Sequence, residues 1–273
     1  MADDRERWAL VLGASSGMGE AAAIALAEDG YRICGIHLDF RAGLTHVEEI
    51  RSRIEAVGSE ALFVNMNAAD DAKRAAAIDT LTRRFEERRA AGAHPYLRVV
   101  LHSLAFGSLY PYLTEDPKDG ADRKRLEMTL DVMANSLVYW VQDLWRAGML
   151  EHGSRIWGLT SEGSTRVVPT YGMVSAAKAA LESHVRQLAM EFARLGTGIT
   201  ANCLRPGVTM TPALMRIPEH DEIIAAARRR NPSGRMTTVE DVARALVALS
   251  GEGTDWISGE IIGVDGAEFV TGS

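Results

Sequence analysis

The sequence predicts an α/β fold: one mostly parallel, doubly wound sheet of about seven strands with helices on both faces. Three observations carry that expectation. Apolar runs of strand length alternate with helical patterns along nearly the whole chain. A glycine-rich turn, Gly13-Ala14-Ser15-Ser16-Gly17-Met18-Gly19, joins the first apolar run to the first helical one. No Pro/Gly/Ser-rich linker, repeat or low-complexity tract divides the chain, so residues 1–273 read as one domain.

The expected strands are 8–12, 32–38, 61–65, 98–102, 155–159, 200–204 and 260–264. Helical patterns fall between them, at 19–27, 72–89, 128–147, 176–194 and 239–249. The least regular stretch is 206–236, which holds four of the eight prolines: Pro206, Pro212, Pro218 and Pro232. In this architecture a segment after a late strand borders the ligand crevice, so 206–236 is expected to serve as a lid.

Composition narrows the function class. A formal charge of -7 excludes a nucleic-acid-binding surface, which needs a basic excess. No apolar run approaches the roughly 20 residues that span a membrane. Met1-Ala2-Asp3-Asp4-Arg5-Glu6-Arg7 is too charged for a signal peptide, and Cys34 and Cys203 read as buried free thiols. A cytosolic protein is expected. The seven histidines lack metal-ligand spacing, so no metal site is expected.

The glycine turn has the spacing Gly-x3-Gly-x-Gly. Glycines there let the backbone approach a pyrophosphate, and a helix N-terminus favours its negative charge. A Rossmann-type dinucleotide site is therefore expected at Gly13, Ser15, Ser16, Gly17, Met18 and Gly19. Asp39, twenty residues after Gly19, suits the ribose hydroxyls of NAD(H). His37 and Arg41 flank it and suit the 2′-phosphate of NADP(H), so the preference between NAD(H) and NADP(H) stays open. A solvated charged loop gives the same three residues.

Tyr171 and Lys178 are the candidate chemistry, with six residues between them. A cation beside a phenol stabilises developing phenolate charge and makes it a better acid. Seven residues of regular helix rise about 10.5 Å, too far for one shared contact. Tyr171 is therefore expected on an irregular lead-in, with Pro169 and Gly172 shaping the turn. Taken alone, the pair also fits a packing tyrosine followed by a surface lysine.

With these motifs the sequence resembles the short-chain dehydrogenases/reductases, and among them the enoyl-acyl-carrier-protein reductase branch. The family's usual Tyr-x3-Lys is replaced by the branch's Tyr-x6-Lys, and Val174 stands four before the lysine. His102-Ser103-Leu104-Ala105 replaces the common Asn-Asn-Ala-Gly and resembles the branch version. Thr160 and Gly163 fall on the Ser-x-x-Gly pattern, and Pro206-Gly207-Val208-Thr209-Met210-Thr211 on Pro-Gly-x-x-x-Thr. Asn231-Pro232-Ser233-Gly234-Arg235-Met236 and Gly263-Val264-Asp265-Gly266 extend the resemblance to nearly the whole chain, residues 8–269.

The resemblance implies roles. Tyr171 acts at the substrate oxygen, and Lys178 holds the cofactor ribose and biases the tyrosine. His102, Ser103 and Leu104 pass beneath the nicotinamide, while Pro206, Gly207, Thr209 and Thr211 meet its carboxamide. Asn67 replaces an aspartate at the adenine edge. Thr160 or Ser161 offers a hydroxyl to the substrate carbonyl, or caps local backbone. Ser161 stands where some members carry a second tyrosine. Met133 aligns with the asparagine of ketone-reducing members, and Asn135 lies two residues on, within reach if the helix is irregular. The implied activity is NAD(P)H-dependent reduction of trans-2-enoyl thioesters, with acyl carrier protein as partner. Ketone reduction is the alternative, and a catalytically silent dinucleotide-binding scaffold the third reading. Pairing of helices 128–147 and 176–194 between copies implies a homotetramer.

Overall fold

The computed structural model describes residues 5–271. Its strands are β1 (Arg5–Leu12), β2 (Arg32–His37), β3 (Ala61–Asn65), β4 (His94–His102), β5 (Arg155–Leu159), β6 (Thr200–Pro206) and β7 (Ile261–Val264). All pair in parallel, in the order β3-β2-β1-β4-β5-β6-β7. The helices are α1 (Gly17–Glu28), α2 (Arg41–Ala56), α3 (Asp71–Ala90), α4 (Arg123–Leu130), α5 (Ser136–Arg146), α6 (Gly172–Arg194), α7 (His220–Arg230) and α8 (Val239–Ser250).

The continuous apolar strands follow from burial on both faces. Trp8, Leu10 and Leu12 enter a core shared with α3, α5 and α6. Their neighbours Ala9 and Val11 face the opposite core, built with α1, α2 and α8. Each fully buried Leu, Ile or Val contributes about 1.5–3 kcal/mol relative to exposure. No helix among the described residues is long and apolar enough to cross a membrane.

Three features depart from the sequence pattern. The helix expected at 128–147 is split by a π turn, Asp131–Asn135. There the Ser136 hydroxyl donates back to the Val132 carbonyl at 2.8 Å, a local bond that competes with the regular ladder. Helix α7 forms inside 206–236, starting after Glu219, whose φ is +62°. Helix α2 is a further addition, anchored by Val47, Ile50 and Ile54.

The chain leaves β1 for β2 and β3, then returns to place β4 on the other side of β1. This reversal opens a crevice at the carboxyl ends of β1 and β4, where doubly wound sheets bind ligands.

Candidate active site

The glycine turn occupies that crevice. The Gly13 and Ala14 amides both donate to the Ile36 carbonyl of β2, at 2.8 and 3.1 Å. Gly13 has φ +92°, and a Cβ there would sit 2.7 Å from the Ser103 carbonyl oxygen. A Cβ on Gly19 would lie only 1.9 Å from the Gly13 oxygen. Side chains would fill this cradle, so it forms only with glycine. Helix α1 starts at Gly17 and the Ser16 side chain makes no cap bond, which leaves the positive helix end to an anion. The arrangement fits a dinucleotide pyrophosphate.

At the end of β2, His37 is buried and its Nδ1–H donates to Asp39 Oδ2 at 2.9 Å. His37 thus stands behind Asp39 and orients it. Asn65, at the end of β3, clasps the Asp39 main chain: its Oδ1 accepts from the amide at 3.0 Å and its Nδ2 donates to the carbonyl at 2.8 Å. Arg41 is exposed at the start of α2. Exposed Asn67 turns locally, its Oδ1 accepting from the Ala69 amide at 3.0 Å.

The chemical end of the site lies where β5 meets α6. Tyr171 immediately precedes α6, as the wide spacing demands. Thr170 before it has φ +60°, an uncommon and costly conformation for a β-branched residue. The Tyr171 ring lies over Gly163, where a Cβ would be 2.8 Å from Cε1. Burial raises Tyr171 above the ordinary tyrosine range, and a hydrogen bond with the Ser161 side chain opposes that shift.

Three consecutive residues leaving β5 are held from the α6 side. Lys178 Nζ donates to the Leu159 carbonyl at 2.7 Å and more weakly to that of Leu104 at 3.4 Å. Thr160 Oγ1 donates to Glu182 Oε1 at 2.6 Å, with both residues buried. Ser161 lies beside Tyr171 against Gly163 and accepts from the Gly163 amide at 3.1 Å. The Thr160 hydroxyl thus bonds Glu182, while Ser161 is the nearer of the two to the tyrosine. Lys178 bonds backbone carbonyls rather than Tyr171. Burial lowers the lysine to about 8, against smaller raising effects of Cys203 and Glu182.

His102 is wholly buried; its Nε2–H donates to Ser136 Oγ at 2.9 Å, and its Nδ1 has no partner among the described residues. Burial, then the Lys178 charge, lower it to about 3, so the ring is neutral. The Ser103 amide donates to the Leu12 carbonyl at 2.9 Å, tying the ends of β4 and β1 together beside Leu104.

On the opposite bank, the Gly207 amide donates to Val264 at 3.1 Å, just beyond Pro206 at the end of β6. Thr209 is buried and its hydroxyl donates to the Gly207 carbonyl at 2.8 Å. Thr211 Oγ1 accepts from the Leu214 amide at 3.2 Å, while its methyl would be 3.3 Å from a Cβ on Gly17. The start of 206–236 therefore touches the glycine turn. An open cavity of about 500 Å³ lies behind this segment, lined by Thr209, Met210, Arg228, Arg235, Thr237 and Val239. Tyr171 and Lys178 do not line it.

Sequence reasoning missed Asn65 and Glu182. The signal for Glu182 was its spacing: it continues the buried row Val174, Lys178, Val185 and Ala189, where a charged residue needs a reason.

The family model described as enoyl-(acyl carrier protein) reductase matches residues 13–267. The chain belongs to the short-chain dehydrogenases/reductases. It is 31% identical over 268 residues to an NADPH-dependent aldehyde reductase-like chloroplastic protein of Arabidopsis thaliana, covering 95% of this chain and 93% of that one. Identity to a 3-oxoacyl-acyl-carrier-protein reductase of Aggregatibacter actinomycetemcomitans is 30% over 260 residues, covering 94% and 97%. The crystal structure of the NADH-dependent enoyl-acyl-carrier-protein reductase of Aquifex aeolicus superposes with a TM-score of 0.80 at 25% identity, covering 98% of each chain. This short-chain dehydrogenase/reductase is accordingly an NAD(P)(H)-dependent oxidoreductase, and its relatives include users of both nicotinamide cofactors.

Proposed function

We propose that this enzyme reduces the 2,3 double bond of trans-2-enoyl thioesters carried on acyl carrier protein. One observation carries the reading: among the described residues no amide side chain bonds Lys178 directly. Its partners are the carbonyls of Leu159 and Leu104. Met133 is buried with its sulfur 2.7 Å from where a Gly107 Cβ would stand. Asn135, displaced by the π turn, instead has its Oδ1 at 3.1 Å from His184 Nε2, accepting from the ring. Ketone reduction must deliver a proton that stays on oxygen, which favours a relay through the lysine. Enoyl reduction needs only stabilisation of charge on the thioester oxygen, the last proton ending on carbon.

The bound nicotinamide supplies the hydride. Gly13, Ser15, Ser16, Gly17, Met18 and Gly19 hold the pyrophosphate, and Asp39, backed by His37 and beside Arg41, meets the adenosine ribose. His102, Ser103 and Leu104 support the nicotinamide end from one bank, Pro206, Gly207, Thr209 and Thr211 from the other. Tyr171 donates a hydrogen bond to the thioester oxygen, Ser161 fixes the direction of that hydroxyl, and Lys178 holds the nicotinamide ribose. Residues 206–236 act as the lid of one domain, and the enzyme works as a homotetramer.

Ketone reduction is the second reading, favoured by the relatives named for aldehyde and 3-oxoacyl reduction. In it Tyr171 donates its proton to the nascent alcohol. NADH and NADPH oxidation with crotonyl and longer enoyl thioesters, beside a ketone panel, separates the two. Turnover confined to ketones contradicts the enoyl reading.

A further inference from the structure

Glu182 is a buried acid that the reaction itself does not use. It lies one helical turn after Lys178, on the same buried face of α6. The two side chains hold successive residues of one strand end, Lys178 the Leu159 carbonyl at 2.7 Å and Glu182 the Thr160 hydroxyl at 2.6 Å. Lys178 is 5% exposed and Glu182 6%. An ammonium so far from water is costly without an opposite charge nearby.

Among the described residues the surroundings offer no other anion. The other ionisable groups among them that interact with Lys178 are His102 at the end of β4 and Cys203 on β6, with Tyr171 at the start of the same helix. His102 is lowered to about 3 and Cys203 raised to about 12, each mainly by burial. Tyr171 is raised as well, so all three are neutral near pH 7. Arg186, the next turn along α6, is exposed.

We infer that Glu182 is a positioning residue: it anchors Thr160 and supplies the negative charge that compensates the buried Lys178 ammonium at the cofactor end of α6. The inference rests on the reading that Lys178 holds the cofactor ribose. Removing the charge alone should make Lys178 lose its proton at lower pH, by about one unit for an opposite charge one helical turn away. Glu182→Gln is the natural probe, because its amide oxygen still accepts from Thr160.

The test is cofactor affinity, read by nicotinamide fluorescence with NADH or NADPH between pH 6 and 10. Wild type should bind tightly until the pH nears 8, then lose affinity. Lys178→Met should bind weakly with no such limb. Glu182→Gln should show the limb about one unit lower, and Glu182→Asp should restore it toward wild type. A limb in Glu182→Gln that coincides with wild type, even with a lowered melting temperature, overturns the role of Glu182 and leaves that of Lys178. A wild-type limb that survives in Lys178→Met overturns the reading of Lys178 itself. Glu182→Met, similar in length and uncharged, repeats the test should the glutamine variant not fold.

Discussion

Ser161, not its neighbour Thr160, lies beside Tyr171, its Oγ and the tyrosine ring both standing against Gly163. The Thr160 hydroxyl donates instead to Glu182 at 2.6 Å. Both residues lie just beyond β5 and face α6, Thr160 toward its buried face at Glu182 and Ser161 toward the tyrosine at its start.

The two hydroxyls should therefore fail differently. Ser161→Ala should lower kcat about tenfold, the worth of one neutral hydrogen bond, with little change in stability. Thr160→Val leaves a buried carboxylate short of a donor and should cost about 1.5–3 kcal/mol of stability. Steady-state kinetics and urea unfolding on both variants check this; the opposite assignment of effects would reverse the roles.

That distinction marks the limit of what the sequence discloses. The glycine turn was legible because close backbone approach admits only glycine, and the position of Tyr171 because helical rise forbids its placement on regular α6. The choice between Thr160 and Ser161 was not, since it depends on Glu182, 22 residues away. The placement of Asp39 beside His37 is held by the Asn65 clasp on the Asp39 main chain from the neighbouring strand. The π turn depends on the Ser136 hydroxyl finding the Val132 carbonyl. Each is a long-range or competing hydrogen bond that local pattern does not encode.

Lys178→Ala should lose more than about a hundredfold in turnover, within the span of general acid–base contributions. It should also weaken cofactor binding about tenfold or more, the worth of a charged hydrogen bond. Turnover and the cofactor Kd are the two measurements. Near-normal values of both would remove Lys178 from the site.

His102 makes stability fall in acid. Its folded value is about 3 against an ordinary 6.5, so as pH drops below 6.5 the unfolded chain takes up a proton that the folded chain refuses. Stability is lost through the window from 6.5 toward 3, at up to about 1.4 kcal/mol per pH unit from this group. Urea midpoints between pH 7 and 4.5 should fall less steeply in His102→Gln than in wild type. Equal slopes would show that His102 is not the acid-sensitive group.

A homotetramer, or at least a dimer, is the expected outcome of sedimentation at micromolar concentration. Trp145 on α5 stays 40% exposed and Leu195, next after α6, 65% exposed, apolar surface suited to a symmetric contact. Trp145→Arg should shift the population to smaller species. Monomer alone in wild type would refute the assembly.

The central claim is that Lys178 works without an amide relay, so the enzyme favours carbon–carbon over carbon–oxygen reduction. The direct measurement is kcat/KM for a trans-2-enoyl thioester and its 3-ketoacyl counterpart, in wild type and in Asn135→Ala. The expected result is faster enoyl reduction in both proteins, with less than about a threefold effect of the substitution because Asn135 serves His184. Robust 3-ketoacyl reduction that collapses in Asn135→Ala would contradict the account and establish a carbonyl reductase.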